Sequence, residues 1–333
     1  MLSVEGNSSI ERIQWRLPCS KSHAIRWLAL AAQSKQNIVL QNMAFAGQDA
    51  VSMRRCLSQM GVNITDLDGK GQDLLIPPND DDQPPPSSVA WRIKGLGAGG
   101  LTPPVSVLHA GNSGTALRIL MALAAQHDVP VMLDGDASLR SRSYETMFAC
   151  LAQLGVACSY GTEHEGLPVL LQGPVVEGSS LSIDAQRSSQ PTSAWLLAAP
   201  SLPCPVPWSI QGEAVSQRHA MLTRRLCEET GAPSSNDGLL EPWQPVLQDT
   251  TVTVPPDASM LAFAFLAAQT STVESKLNYC PMPLKVSGTK SSSMVPMLWV
   301  SRSMATSSLP HQRLNTPNLT FVMPTISSRR SRL

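Results

Sequence analysis

The chain has 333 residues and a hydrophobic content of 42%, which is enough to bury more than one core, so we expect two domains. Its 25 Lys and Arg residues balance 25 Asp and Glu residues, and no basic cluster occurs before the C-terminal region. This charge distribution argues against a nucleic acid or an anionic membrane as partner and favours a small polar ligand.

Seven cysteines stand at irregular spacings without any Cys-x-x-Cys pair, so the sequence predicts reduced thiols rather than a zinc site or a redox dithiol. Residues 1–15 contain no basic segment followed by an apolar stretch. The longest apolar runs are far shorter than a membrane-spanning helix. We therefore expect a cytoplasmic protein without a membrane partner.

The first candidate site lies in residues 17–30, LPCSKSHAIRWLAL, where a Ser-Lys-Ser turn directly precedes an apolar helical segment. Lys21, Ser22 and Arg26 cluster around this predicted helix start. Backbone N–H groups and the helix dipole favour negative charge there, so an added ammonium and guanidinium make a candidate dianion site. Ordinary serine capping with solvated basic residues explains the segment equally well.

An amphipathic helix with a glycine at its end is predicted at 54–62, and the same pattern returns at 148–156 and 224–232. Apolar residues lie on one face of each helix, and the glycine can take the left-handed conformation that ends a helix. Helix-then-strand units that recur at long intervals predict an α/β protein built from internal copies of one block.

Residues 110–120, AGNSGTALRIL, repeat the arrangement of a tight polar turn before an apolar helix. The glycines allow a ligand to approach the backbone closely, so Asn112, Gly114 and Thr115 are candidate contacts for a second anionic or polar group. The segment is not a Walker loop, because no Gly-Lys-Ser or Gly-Lys-Thr follows at the required spacing.

Two later segments also place polar groups before helices. Arg142 stands just before the second repeated helix and can bind a phosphate or carboxylate with two hydrogen bonds, although a surface arginine is the plainer interpretation. Ser188, Ser189 and Gln190 precede an apolar helix, and Ser216 marks a fourth such entrance. Each is common by itself, but four entrances recurring with the repeats favour one ligand with several negative groups.

The composition changes after residue 269. Residues 270–333 hold thirteen serines, eight Lys and Arg, one Glu and no Asp, without sustained apolar periodicity. Such a segment is typical of disordered sequence or of translation in a wrong reading frame. We therefore predict no fold for this tail.

Taken in order, these motifs resemble those of the EPSP synthase (3-phosphoshikimate 1-carboxyvinyltransferase) family. The family's Ser-Lys-Ser-x-x-x-Arg matches 20–26, and its Gly-Asn-Ser/Ala-Gly-Thr matches 111–115. A later family arginine falls on Arg142, the family's Ser-Ser-Gln on 188–190, and its Asp-Ala-Ser crossover segment on 257–259. Their common order makes the resemblance more specific than any one motif.

The resemblance covers about residues 10–269 and implies an α/β, two-domain enolpyruvyl transferase fold of repeated βαβαββ units. Residues 17–242 would form the first domain, which binds shikimate 3-phosphate. Residues 1–16 and 243–269 would belong to a second domain that stays incomplete, because 270–333 has no family counterpart. A truncation or frame shift after about residue 269 is therefore expected.

The implied activity is transfer of the enolpyruvyl group from phosphoenolpyruvate to the 5-hydroxyl of shikimate 3-phosphate, in the shikimate pathway to chorismate and the aromatic amino acids. No metal or organic cofactor is implied, and we expect a monomer. The residues that match family substrate contacts are Lys21, Ser22, Arg26, Asn112, Gly114, Thr115, Arg142, Ser188, Ser189, Gln190 and Ser216.

The sequence also departs from the family pattern. The family's second domain supplies an acid–base pair, an aspartate and the lysine of a Lys-Glu-x-x-Arg motif, and 270–333 contains neither, so we expect an impaired or inactive chain. Cys19, Ser143 and residues 217–219 replace a glycine, a proline and Lys-Pro-Tyr. The alternatives are a non-catalytic binding module, a gene fragment, or a UDP-N-acetylglucosamine enolpyruvyl transferase, whose cysteine loop and Lys-Asn entry motif are not found.

Overall fold

The computed structural model describes residues 12–15, 17–74, 83–161, 165–186, 188–212, 217–233, 238–260, 262–263, 274–277 and 298–300. The chain divides into two compact units. One is Pro18–Asp257, and the other combines Met1–Leu17 with Ala258–Leu333. All but one of the predicted contact residues fall in described parts of the unit Pro18–Asp257.

The helices of the described residues are α1 (Lys21–Ala32), α2 (Gln48–Gln59), α3 (Gly114–Ala124), α4 (Ala137–Arg140), α5 (Glu145–Gln153), α6 (Gln190–Ala198) and α7 (Gln217–Glu229). The strands are β1 (Arg12–Trp15), β2 (Asn37–Gln41), β3 (Asn63–Leu67), β4 (Ala90–Lys94), β5 (Leu108–His109), β6 (Val131–Asp134), β7 (Ala157–Tyr160), β8 (Val169–Gln172), β9 (Leu181–Asp184), β10 (Val206–Gln211), β11 (Leu239–Leu240), β12 (Thr251–Thr253), β13 (Glu274–Leu277) and β14 (Leu298–Val300). Short 3-10 helices follow at Ala199–Ser201 and Ala258–Met260.

Three sheets of the unit Pro18–Asp257 repeat one strand pattern. In the second sheet, β5 runs parallel to β6, β6 is antiparallel to β8, and β8 is antiparallel to β7. The first sheet, in the order β12-β2-β4-β3, has the same succession of parallel and antiparallel pairs. In the third, β9 is parallel to β10 and β10 is antiparallel to β11. The prediction of an α/β fold with repeated βαβαββ units is confirmed.

Helices α2, α5 and α7 end in the same way, as the repeated sequence pattern predicts. Gly61, Gly155 and Gly231 follow these helices with φ angles of 92°, 74° and 87°, a conformation that glycine adopts without strain. After α2, the N–H of Val62 donates to the carbonyl of Leu57 at 3.1 Å, and equivalent bonds close the other two helices. This geometry satisfies carbonyl groups that a helix end otherwise leaves free.

Each repeat contributes one helix that is buried nearly all round: α1, α3 and α6. Helix α3 packs against α6, and α1 packs against both. Helices that are apolar around most of their circumference belong in a core, whereas α7 buries only one face, through Thr223, Leu226 and Cys227. The polar starts of the buried helices are thereby held near one another.

Strand β12, which lies near the C-terminal end of the unit Pro18–Asp257, completes the first sheet. It pairs in parallel with β2. The segment before it is held by Gln36, whose amide donates to the Leu247 carbonyl at 2.9 Å and accepts from the Leu247 N–H at 2.7 Å. Because of this pairing, the compact unit extends past residue 242 to Asp257.

The described part of the other unit is mainly a three-stranded sheet in the order β1-β13-β14. Strands β13 and β14 lie within 270–333, for which the composition predicted no fold; the rest of that tail lies outside the described residues. None of the helices in the described residues combines the length and the apolar character that crossing a membrane requires.

Candidate functional site

The start of α1 holds three of the predicted contact residues. Lys21 is the first residue of the helix, and its exposed ammonium lies 3.6 Å from Asp49 Oδ2 on α2. Ser22 is half-buried, and its carbonyl accepts a hydrogen bond from Arg26 Nη1 at 2.8 Å. The helix start therefore presents one exposed cation and, one turn onward, one buried cation.

Arg26 is only 2% exposed and is held by neutral oxygens. Its Nε donates to Thr223 Oγ1 at 2.7 Å, and its Nη2 donates to the His219 carbonyl at 3.3 Å and to Ser193 Oγ at 3.4 Å. Burial lowers the pKa of Arg26 to about 10. At neutral pH the guanidinium therefore keeps its charge, and no carboxylate of the described residues is paired with it.

The turn before α3 brings Asn112 and Gly114 next to Arg142. Ser113 caps the helix by accepting a hydrogen bond in its first turn. Arg142 Nη2 donates to Asn112 Oδ1 at 2.6 Å, and a Cβ added at Gly114 would lie 3.0 Å from Arg142 Nη1. Thr115 follows in the first turn and is half-buried. Four predicted contact residues thus lie together.

Arg118 is a member of this cluster that the sequence analysis missed. It lies one turn after Gly114, and its Nη1 donates to Gln190 Oε1 at 2.6 Å and to the Gly114 carbonyl at 3.0 Å. Its Cζ stands 4.7 Å from the centre of the Tyr144 ring. Burial lowers the pKa of Arg118, and the charge of Arg142 lowers it further. No local pattern in the sequence identifies it, because its contact with Gln190 joins two helices that are far apart in the chain.

The start of α6 carries the predicted Ser-Ser-Gln. Ser188 Oγ accepts from the backbone N–H of Gln190 at 3.1 Å, and Ser189 is buried immediately before the helix. Thr192 Oγ1, in the first turn, is buried and has no hydrogen-bond partner among the described residues. Hydroxyl groups are therefore concentrated where the helix dipole is positive.

Two arginine clusters meet at this first turn of α6. Gln190 is bonded to Arg118, whereas Ser193, three residues onward, lies beside Arg26. The start of α6 therefore contacts Arg118 of α3 through Gln190 and Arg26 of α1 through Ser193. Lys21 is tied to α2 instead, through the contact with Asp49 described above.

The start of α7 is the fourth predicted entrance. Ser216 lies outside the described residues, so its contacts stay a prediction. His219, the third residue of α7, accepts a hydrogen bond from Arg26 through its carbonyl. Burial lowers the pKa of His219, and the charges of Arg26 and Lys21 lower it further. The positive potential of the α1 start therefore extends to α7.

Among the described residues, the arginines of these clusters have no carboxylate partner, a property they share with Arg55, whose guanidinium donates to the His109 carbonyl at 2.6 Å. Four arginines elsewhere are paired with carboxylates: Arg54, Arg92, Arg140 and Arg225. Within the described part of the chain, the hydrogen bonds of Arg26, Arg118 and Arg142 go to neutral oxygens. A guanidinium that is buried without an opposite charge, as Arg26 is and Arg118 is in part, is stabilised by a bound anion. The arrangement suits a ligand with several negative groups.

Fold and site together define an α/β protein of repeated βαβαββ units in which the starts of buried helices gather cationic side chains. A family model described as EPSP synthase (3-phosphoshikimate 1-carboxyvinyltransferase) matches residues 4–277, which is well over half of the chain. The chain belongs to the EPSP synthase family. The match reaches past residue 269, where the motifs alone predicted its end.

Individual relatives agree with this family. The 3-phosphoshikimate 1-carboxyvinyltransferase of Idiomarina loihiensis is 32% identical over 226 residues, which are 66% of this chain and 47% of the relative. The protein of the same name from Methanococcoides burtonii is 30% identical over 267 residues, which are 78% of this chain and 57% of the relative. The chain spans about half the length of the curated relatives it matches.

A solved structure shows the same fold. The EPSP synthase from Acinetobacter baumannii matches with a TM-score of 0.59 and 24% sequence identity. The similarity covers 82% of this chain and 57% of that structure. The fold class implied by the sequence resemblance is therefore confirmed.

Proposed function

We propose that this chain binds shikimate 3-phosphate and phosphoenolpyruvate, the substrates of enolpyruvyl transfer to the 5-hydroxyl of shikimate 3-phosphate. The observation that carries the proposal is the set of guanidinium groups bonded to neutral oxygens, Arg26, Arg118 and Arg142. Both substrates carry several negative charges, so they would supply anionic partners for these guanidinium groups. The name 3-phosphoshikimate 1-carboxyvinyltransferase, shared by the relatives, supports the same pair of substrates.

The proposed contacts divide between the two clusters. Residues assigned to shikimate 3-phosphate are Ser22, Arg26, Ser188, Ser189 and Ser216, the three last for its phosphate. Residues assigned to phosphoenolpyruvate are Asn112, Gly114, Thr115, Arg118 and Arg142. Lys21 and Gln190 would contact both substrates. Gln190 suits this role because it already bridges α3 and α6 through Arg118.

In the proposed reaction, the 5-hydroxyl loses its proton and adds to C2 of phosphoenolpyruvate while the methylene carbon gains a proton. The resulting methyl group then loses a proton as phosphate leaves C2, which restores the carbon–carbon double bond. Positive charge develops at C2, between anionic groups that the arginines hold in place. Fixed cations and helix starts position those groups without reorganising during the reaction. No residue of the described site is assigned to the proton transfers.

Calorimetry with two arginine variants tests this proposal. Shikimate 3-phosphate should bind the full chain, and phosphoenolpyruvate should bind the resulting complex. Arg118→Met should weaken phosphoenolpyruvate binding at least about tenfold, because charge-assisted hydrogen bonds are lost. Arg140→Met is the matched control, since Arg140 is paired with Asp134. The proposal would be contradicted if the wild type bound neither substrate, or if both variants lost the same affinity for phosphoenolpyruvate. If the wild type bound UDP-N-acetylglucosamine instead, the related transferase would be favoured.

Turnover by this chain alone is a separate part of the proposal. Neither the second-domain aspartate nor a Lys-Glu-x-x-Arg motif has a counterpart in 270–333. We therefore expect binding without release of inorganic phosphate when both substrates are supplied. A phosphate-release assay measures this directly, and sustained release above the protein-free rate would show that other residues supply the acid and base.

The remaining assignments also belong to the proposal. The shikimate 3-phosphate-binding domain, predicted as 17–242, would correspond to the compact unit Pro18–Asp257, and residues 1–16 would belong to the second domain. We propose a monomer that acts in the cytoplasm without a nucleic acid partner. The equal numbers of basic and acidic residues support the absence of a nucleic acid partner. Size-exclusion chromatography with light scattering tests whether the protein is a monomer.

A further inference from the structure

Thr223, on α7, lies at the centre of a buried hydrogen-bond network that joins three helices. Its side chain is 0% exposed, and Ser193 on α6 is 1% exposed. Thr223 Oγ1 lies 2.7 Å from Arg26 Nε, 2.9 Å from Ser193 Oγ and 2.9 Å from the His219 carbonyl oxygen. The network therefore connects α1, α6 and α7 through one hydroxyl.

One arrangement of the protons satisfies every group in this network. A hydroxyl offers one donor and two acceptor lone pairs. Thr223 accepts from Arg26 Nε and from the Ser193 hydroxyl, and it donates to the His219 carbonyl. Ser193 Oγ in turn accepts from Arg26 Nη2. The guanidinium is thus anchored on two of its three nitrogens by side-chain hydroxyls.

The chemistry of the anchor decides how much charge is left for a ligand. Asp66 anchors Arg54 through two hydrogen bonds of 2.8 Å and 2.6 Å, and its carboxylate neutralises that guanidinium. The hydroxyl of Thr223 also fixes the orientation of Arg26, but it carries no net charge. A preorganised, uncompensated cation stabilises an anionic ligand without having to give up a competing ion pair.

We propose that Thr223, together with Ser193, is a positioning residue that orients the Arg26 guanidinium toward bound substrate without neutralising it. The inference rests on the proposed function, in which Arg26 holds shikimate 3-phosphate. Thr223 acts through Arg26 and does not touch the substrate itself. Its removal should therefore change both the environment of Arg26 and the affinity for shikimate 3-phosphate.

The first measurement needs no ligand. Nuclear magnetic resonance of the full chain follows exchange of the Arg26 Nε–H with water. Thr223→Val keeps the side-chain shape and removes the hydroxyl, so this exchange should accelerate about tenfold or more; Thr223→Ser should restore the wild-type rate. The control is Thr230→Val, because Thr230 is equally buried and its hydroxyl donates at 2.7 Å to a backbone carbonyl, that of Cys227, and not to Arg26.

The second measurement is calorimetry with shikimate 3-phosphate on the same variants. Thr223→Val should bind about tenfold more weakly, whereas Thr223→Ser and Thr230→Val should stay close to the wild type. An unchanged Arg26 signal in Thr223→Val, or an equal affinity loss in Thr230→Val, overturns the inference. If Thr223→Val does not fold, Ser193→Ala takes its place: exchange of the Arg26 Nη2 protons, for which Ser193 is an acceptor, should accelerate, and shikimate 3-phosphate should bind more weakly. If the wild type does not bind, the proposed function fails, and the exchange rates alone decide the positioning role.

Discussion

Gly114 begins α3 in a space that two guanidinium groups already share. An added Cβ would lie 3.0 Å from Arg142 Nη1 and 3.1 Å from Arg118 Nη1, both of which are ends of flexible side chains. Helical backbone accepts alanine readily, so Gly114→Ala should leave the unfolding temperature almost unchanged. Displacement of the two cations should weaken phosphoenolpyruvate binding about tenfold. Calorimetry and thermal unfolding measure the two effects separately, and a matching loss of stability would contradict this explanation.

His23, also near the α1 start, makes stability depend on pH. Burial, followed by the charges of Arg225 and Arg26, lowers its pKa from 6.5 to about 4. As the pH falls, His23 is therefore protonated at a higher pH in the unfolded chain than in the folded chain. The stability contributed by neutral His23 is complete above pH 6.5 and is lost as the pH falls toward 4.

His23→Gln isolates this effect from the titration of other groups. Urea unfolding at about pH 7.5 and about pH 5 should show a smaller drop in the free energy of unfolding for the variant than for the wild type. Equal drops would mean that His23 is not held neutral in the folded protein.

Residue type alone could not predict which arginines lie in the candidate site. Arg140 and Arg142 are two positions apart, yet Arg140 pairs with Asp134 whereas Arg142 bonds to Asn112. The difference is one of position: Arg140, at the end of α4, reaches Asp134 at the end of β6, whereas Arg142 reaches the turn before α3. Arg118 was missed for a related reason: within an apolar helix, its contact with Gln190 depends on the packing of α3 against α6.

At the scale of elements, one ion pair ties α2 to the first sheet. Arg54 and Asp66 are bonded through both oxygens, Ser88 donates to Asp66 at 2.7 Å, and the guanidinium stacks 4.9 Å from the centre of Trp91. Asp66→Asn would leave a buried cation without its partner. We expect a loss of about 3 kcal/mol in the free energy of unfolding, measured by urea denaturation.

Replacing both partners should cost less than replacing one. In Arg54→Met combined with Asp66→Asn, no unpaired charge remains buried, so part of the lost stability should return. A double variant that is less stable than Asp66→Asn alone would show that the stacking of Arg54 on Trp91, rather than the charge, supports this contact.

Local signals predicted elements well, and long-range pairing explains the rest. The ends of α2, α5 and α7 were predictable because glycine at Gly61, Gly155 and Gly231 specifies the left-handed turn by itself. The role of Thr251–Thr253 was not, because a three-residue strand carries little periodicity and its partner, Asn37–Gln41, lies near the start of the chain. That pairing is why the compact unit reaches Asp257.

At the scale of the whole molecule, the three repeats should fold without the remainder of the chain. Every strand pair of their sheets lies inside Pro18–Asp257. A fragment of residues 18–257 should therefore unfold cooperatively in circular dichroism and bind shikimate 3-phosphate with the affinity of the full chain. A fragment ending at 242, which lacks β12, is the comparison and should be less stable; equal stability would contradict a structural role for that strand.

The late position of β12 has a consequence for the newly made chain. While the ribosome adds the roughly 200 residues that separate β2 from its parallel partner, one edge of β2 lacks that partner for about 10 to 40 s at ordinary elongation rates. Open strand edges attract other chains, so this interval is when a nascent polypeptide would aggregate or recruit a chaperone. The second sheet, built from consecutive segments, can close first, and the first sheet closes among the last.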